Sequence, residues 1–586
     1  MLYPQLQQSM QSQTMIGTFY GYNHNLKIGA GEWYEMENLS SDAYPLLTQR
    51  KKRGVVRKFT NPQALVSRDA LAWIEGGTLF YNGLSMQPYM PAVSITEGEK
   101  QIVAMGAYLC IFPDGIFFNT QDFTDNGYMG RKNTVNAAQT NVKYSLCKKD
   151  GSGVTLTFTQ AETPEALENG QYWMDTSADT HVLKQWSASS AMWVQVPTVY
   201  TKVEANGIGT GISQWDGIQL TGCAGNEQVK ALEGSHVVYE AQENWIVIVG
   251  IIDANYTQNT GTVTVERKVP DMDYVTESQN RLWGCKYGVV GDKTVNEIYC
   301  CKLGDFKNWE CYLGISTDSF TASVGSDGPW TGAATMGGCP IFFKEDCLHR
   351  VYPASTGAHQ IVETKCRGVE KGSYKSLAVV TERLYYKSRT GICVYDGSLP
   401  VSIAEAFGTV KYKNAVGAAV GEKYFVSMQD EKGKYHLFVY DTQKGMWHRE
   451  DAAQVKFFAA QDDELFFVDG NNTLMAQYGT EGTQEEIVAW SATTGMIGYE
   501  TAEKKYLSRF NLRMKLPRGS KLDLYMEYDS SGIWKHCGHI EGRGTRTFLL
   551  PVRPARCDHL RFRLEGKGEI RLYSLAVIRE EGSDGP

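Results

Sequence analysis

Residues 70–83 read ALAWIEGGTLFYNG: an apolar run, a Gly-Gly turn, and a second apolar run that stops at Asn-Gly. Apolar alternation over four to eight positions marks a half-buried strand, and a Gly-rich pair between two such runs closes a hairpin. The chain repeats this phrase as YLCIFPDGIFFN (108–119), RLYYKSRTGICVYDG (383–397), KYFVSMQDEKGKYHLFVYD (423–441) and ELFFVDGNNTLMAQYG (464–479). A hairpin repeated at a near-fixed interval cannot bury its apolar face alone, so the copies must stack or close into a ring. Equivalent positions fall near Val66, Val103, Thr276, Val324, Val379, Ala418 and Phe458. All steps but one are about 37–55 residues, close to the size of a four-stranded blade. The long step, from Val103 to Thr276, holds one blade and roughly 130 further residues, which an inter-strand loop tolerates as an insertion.

The pattern therefore predicts an all-β chain. A six- or seven-bladed β-propeller (56–131 and 269–482) is interrupted by an inserted β domain at 132–268. VTLTF (154–158), AMWVQV (191–196) and NWIVIVGII (244–252) supply strand-length runs within that insertion. After 483 the alternation lengthens: FNLRMKL (510–516) and LRFRLEG (560–566) each show one apolar and one mostly basic face. That predicts a C-terminal β-sandwich at 483–586. Residues 1–55 lack sustained periodicity and are expected to form an extended arm that docks on a neighbour and orders on contact.

Composition fits this reading. Aromatic residues make up 12% and glycine numbers 59, a mixture suited to pleated surfaces broken by tight turns. The net charge of −8 excludes a polyanion binder as a whole. Thirteen cysteines, an odd number with no C-x-x-C pair, point to reduced, buried thiols and not to a disulfide scaffold. The opening MLYPQLQQSMQSQT has no signal-peptide pattern, and no apolar run is long enough for a membrane span.

No chemistry-bearing motif stands out. In HCGH (536–539), His536 and Cys537 point to opposite faces of a strand, and no second ligand pair lies at finger-like spacing. The acidic stretches near Asp271, Asp462 and Asp469 lack the twelve-residue calcium pattern and read as hairpin turns. SDGPW (326–330) and DSSGIW (529–534) approach the Ser-x-Asp-x-Gly-x-x-Trp turn of propeller sialidases but miss its spacing. No P-loop, H-E-x-x-H or G-x-S-x-G occurs. The expectation is a protein without catalytic residues, metal or cofactor. Two basic clusters, Arg50, Lys51, Lys52 and Arg53, and Arg553, Arg556, Arg561 and Arg563, are candidate contacts to DNA or an acidic partner. Trp173, Trp186 and Trp193 of the insertion are candidate sugar contacts.

Four stretches resemble bacteriophage virion structural proteins of the propeller tail-hub, nozzle and packaged-DNA-stabilisation type. They are GEWYEMENLSSDAYP (31–45) with the basic run after it; ESQNRLW (277–283) with EIYCCKLGDFKNW (297–309); YWMD (172–175) with VLKQW (182–186); and YDSSGIW (528–534) with PARCDHL (554–560). The resemblance implies a rigid, non-enzymatic, ring-forming subunit, often a hexamer, of the tail or neck. Such a subunit assembles in the host cytoplasm, joins other tail and neck proteins, and closes or lines the DNA exit path. A tail-tip carbohydrate-binding adhesin is the alternative, and a propeller glycosidase a third reading. Carboxylates facing each other across the central pocket would mark the last; an apolar centre would count against it.

Overall fold

A computed structural model describes residues 11–165, 168–498, 504–550, 552 and 555–581. Seven small antiparallel sheets follow one another around an axis. Blades 1 to 6 span 62–85, 101–128, 274–323, 332–365, 378–402 and 412–449. Blade 7 takes three strands from 455–476 and a fourth, Gly54–Lys58, from near the start of the chain. The innermost strand of blade 1, Pro62–Arg68, touches both Gln101–Met105 of blade 2 and Val455–Gln461 of blade 7, so the ring is closed. Apolar clusters fill every gap between neighbouring blades. Phe59, Trp73 and Phe466 seal blade 7 to blade 1, and Leu109, Phe118 and Ile74 seal blade 1 to blade 2.

One local device recurs. In blades 2 to 7 a two-residue turn joins the innermost strand to the next, and its first residue lies at φ between 47° and 58°: Gly106, Gln279, Gly337, Thr381, Gly421 and Asp462. Such turns match the right-handed twist of a hairpin only with positive φ at their centre. Glycine meets that demand without strain in three of the six blades.

The insertion enters between Asn126–Tyr128 of blade 2 and Tyr274–Ser278 of blade 3. Eight of its strands form one sheet, from Arg131–Asn136 at one edge, paired with Thr262–Arg267, to Tyr256–Gln258 at the other. A separate four-stranded sheet covers 156–195. It packs one face, through Met174 and Leu183, onto the core of the larger sheet. Asn308 of blade 3 is fully buried, accepts from the Gly217 amide and donates to the Trp215 carbonyl, which pins the insertion to the propeller. A buried Arg267–Asp216 pair braces the same corner.

The C-terminal region is a two-sheet sandwich. Leu512 and Met514 of one sheet face Leu524 and Phe562 of the other in a single core. The expected docking arm is corrected here: in this chain it is built into that sandwich. Gln11–Ile16 pairs with Arg571–Glu581, Glu32–Glu37 pairs with Ala489–Thr494, and Leu47–Gln49 also joins Arg571–Glu581. Gly21–Tyr22 pairs with Met446–Arg449, so blade 6 and one sandwich sheet form one continuous sheet. Trp33, Met36 and Leu47 are buried there. Burial of these large apolar side chains favours docking on the chain's own sheets over exposure for a partner.

Candidate functional site

The propeller's axial pocket, about 310 Å³, is lined by Leu65, Ile102, Leu377, Val416, Phe457 and Phe458, with Lys100 and Lys375 among them. No carboxylate is among the described lining residues. Lys100 is held by Asp114 at 3.1 Å. Lys375 is held by Glu99 at 2.8 Å, and the Tyr374 hydroxyl donates to the same carboxylate. Burial, and then the charge of Glu99, pushes the Tyr374 phenol far above its ordinary range. Glycoside hydrolysis on the usual scheme needs two carboxyl groups roughly 5–10 Å apart across the bond to be cut. This pocket presents apolar surface and two lysine side chains whose ammonium groups are engaged by acids and carbonyls beside it.

Half of the basic stretch at 50–53 is not a surface. Arg50 forms a two-pronged pair with Glu485 (2.7 and 3.1 Å) and donates from Nε to Asn38. Arg53 is buried, with Nη2 on Glu450 (2.6 Å), Nη1 on Asp451 (2.5 Å) and Nε on Gln477. The chain between Leu47–Gln49 and Gly54–Lys58 follows no strand alternation, and the two arginines at the ends of the run turn inward to acids. Lys51 and Lys52 remain exposed. Lys51 borders an open cleft of about 410 Å³ between the arm and blades 6 and 7, which also holds Asp42, Asp463, Lys423 and Lys444. Charges of both signs line it.

The C-terminal cluster is also paired within the chain at two positions. Arg561 lies on the buried Glu527 carboxylate, and Arg563 pairs with Glu565 at 2.9 Å. Both guanidinium groups stack on Trp534. The strand pattern reads as a basic face because the matching acids sit on other strands or two residues along. Arg556 is exposed, and Arg553 lies outside the described residues.

The tryptophans do converge. In the four-stranded sheet Trp173 stands opposite Lys184 and Phe158, and Trp186 opposite Trp193, all on the face turned away from the larger sheet. Trp193 makes edge contacts with Trp173 and Trp186, each at 5.5 Å between ring centroids. The Lys184 ammonium lies 4.6 Å from the Trp173 ring and 2.7 Å from Asp175. That hydrogen bond holds the Asp175 carboxyl down at about 2. Trp173 is buried and cannot be the sugar contact it was expected to be, because its neighbours and Lys184 cover it. Trp186 and Trp193 stay half-exposed. The Trp193 Nε1 donates to the Pro164 carbonyl, fixing that ring's orientation.

His536 and His539 both bond to one oxygen of Asp523, at 3.0 and 2.8 Å, on the exposed sandwich surface, while Cys537 turns toward the core. All thirteen cysteines are free, and all but Cys366 and Cys537 are buried. No helix among the described residues is long and apolar enough to cross a membrane.

The class these features define is a closed seven-bladed β-propeller carrying an inserted β domain and a C-terminal sandwich. No known protein family and no curated protein matches the chain. Among solved structures it is similar to a glycoside hydrolase at 9% identity, over 51% of this chain and 96% of that one, with a TM-score of 0.20. It is also similar to puromycin hydrolase at 11% identity (68% and 58%, TM-score 0.23). An exo-β-1,3-galactanase from Phanerochaete chrysosporium matches at 7% identity (76% and 100%, TM-score 0.17). Likeness at that level carries no argument about activity.

Proposed function

We propose that this chain is a non-enzymatic structural subunit of a bacteriophage virion, a tail or neck component of the hub or nozzle kind. The observation that supports it most directly is the axial pocket. Its wall is aliphatic, aromatic and cationic, and its flanking acids are already paired. The four sequence stretches supply the link to phage proteins. Copies of the chain associate in a cyclic ring, hexameric in the simplest form. Ring closure of the blades and the woven-in arm give each copy the stiffness such a ring needs. Exposed apolar side chains such as Val289, Val290, Leu399 and Val401 offer self-association surface. Lys51, Lys52 and Arg556 are the members of the basic clusters left exposed for packaged DNA or an acidic neighbour.

Light scattering and negative-stain imaging of the purified chain test this reading. Closed rings, with no hydrolysis of aryl glycosides, are expected. A monomer whose glycosidase turnover disappears on Glu99→Gln overturns it. Particles carrying Lys51→Glu with Lys52→Glu are expected to lose packaged DNA. Fully infectious particles remove those lysines from the proposal.

The tryptophan face favours a second reading, a carbohydrate-binding adhesin. Half-exposed, rigidly oriented aromatic rings beside a Lys–Asp pair suit the apolar face and hydroxyls of a sugar. Glycan-array binding that vanishes in Trp186→Ala, with the circular dichroism spectrum unchanged, supports it; an empty array counts against it.

A further inference from the structure

We infer that blade 4 carries a binding site for a borderline-soft divalent ion of the Zn²⁺ class, formed by Cys347, His349 and Glu363. The first two lie two residues apart on the strand Cys347–Tyr352 and so share one face. Glu363, on the neighbouring strand Gln360–Lys365, stands directly opposite His349 in register. The thiol sulfur, an imidazole nitrogen and a carboxylate oxygen all lie within 4.8 Å of one another.

The spacing is that of ligands, not of a hydrogen bond. His349 Nε2 is 3.6 Å from Glu363 Oε2. Elsewhere in the chain His24, His181, His436 and His536 reach their carboxylates at 2.8–3.0 Å. Two donors bound to one tetrahedral zinc, each about 2.0–2.1 Å from it, stand roughly 3.3 Å apart. The imidazole is almost wholly buried, and its Nδ1 has no hydrogen-bond partner. Nε2 faces Glu363 and the Ser326 hydroxyl, the latter at 3.2 Å.

Sulfur, imidazole and carboxylate together select zinc-like ions over Mg²⁺ or Ca²⁺, which prefer all-oxygen sites. The Lys344 ammonium holds the loop at 324–331 in place, donating to the Ser326 carbonyl at 2.7 Å and lying 4.6 Å from the Trp330 ring. The Glu363 side chain is 36% exposed, which opens a path for the ion and a fourth position for water. An ion here would tie the two outer strands of blade 4 to each other beside that loop.

The full chain, stripped with EDTA and dialysed, is titrated with Co²⁺ and with Zn²⁺. One tight site is expected, with a thiolate-to-Co²⁺ charge-transfer band that Zn²⁺ abolishes. Cys347→Ser removes the band, and Cys537→Ser leaves it intact. Glu363→Gln, at an exposed position that spares the fold, weakens Zn²⁺ binding by about tenfold or more. Failure of the wild-type chain to bind Zn²⁺ overturns the inference. So does a site whose affinity is unchanged in Glu363→Gln, or whose band survives Cys347→Ser.

Discussion

Arg53→Met tests whether the basic stretch acts inside the molecule or on a partner. The guanidinium ties the residue before the closing strand Gly54–Lys58 to Glu450 and Asp451 at the exit of blade 6 and to Gln477 of blade 7. Methionine keeps most of the side-chain volume and its packing near Phe467, over which the guanidinium lies at 5.2 Å. What it removes is the charge. Breaking a buried pair by deleting one partner costs about 3–5 kcal/mol, because the other charge is left without compensation. Glu450 is 6% exposed and feels that in full; Asp451, at 21%, regains water. The lower end, about 3 kcal/mol, is therefore expected. If local opening of blade 7 governs exchange, that is roughly a 150-fold faster amide exchange, each 1.36 kcal/mol being tenfold. Hydrogen exchange read by mass spectrometry over 54–58 and 473–476 measures it. Adding Glu450→Gln removes the stranded charge and should restore part of the protection, so the double variant loses less than the two singles combined. Exchange within about threefold of wild type, together with lost ring assembly, would falsify the structural role and return Arg53 to the partner surface.

Three further outcomes follow from the geometry. Thr381 sits at φ 47° in the first turn of blade 5, a conformation hostile to a β-branched residue; Thr381→Gly is expected to raise stability by about 0.5–1 kcal/mol in urea unfolding. Asn308→Ala leaves the Gly217 amide and Trp215 carbonyl unpaired in a buried corner, so it should cost about 1–3 kcal/mol and hasten proteolytic nicking within 131–267. Burial, helped by Lys423 and opposed by Asp441 and Asp42, lowers the His448 imidazole to about 4. The unfolded chain then binds the extra proton first, so stability falls as pH drops from about 6.5 toward 4, by up to about 3 kcal/mol in total. His24, raised chiefly by its hydrogen bond to Glu35, titrates with the opposite sign. The effect is therefore read as the difference between wild type and His448→Gln, and equal pH slopes in the two would refute it.

The repeat was legible because its turns punctuate the sequence, yet it was faint because the turns are conserved in shape and not in residue. Gly106, Gln279, Gly337, Thr381, Gly421 and Asp462 occupy one structural place with four different side chains. Glycine marks only three of the six, and the terminal repeats, one of which borrows its fourth strand from near the start of the chain, left six and seven blades open. The strand that completes blade 7, GVVRK, has no alternating apolar signature, since it lies at the blade's outer side with Val55 and Lys58 exposed and Arg57 covering the Trp73 ring in place of an apolar side chain. The candidate sites suffered from a related blindness. A run such as Arg50–Arg53 looks uniform in sequence, whereas the fold turns its first and last members inward to acids as far away as Glu450 and Glu485. The three tryptophans were found, but their mutual packing depends on hairpin register, which their spacing does not reveal. HCGH drew attention by contiguity and scatters its groups over two faces. C-L-H at 347–349 drew none, because its third donor, Glu363, comes from the neighbouring strand.

The arm shows how such long-range pairing changes the physical unit. Trp33 stands opposite Thr494, Tyr22 opposite Trp447, and Gly54 opposite Ala476. One stretch of about fifty residues therefore completes the sandwich, fuses it to blade 6 and closes the ring at blade 7. Loop-closure entropy for contacts this distant must be met before any of them is rewarded. Blades 2 to 5, whose pairings are local, can form without the arm, whereas blade 7 and the sandwich cannot be complete until both ends of the chain are present. Removal of residues 1–58 should accordingly expose Phe510, Phe562 and Trp490 together and couple the loss of the sandwich to the opening of the propeller. A shortened chain whose sandwich keeps native exchange protection would show that the two units are independent.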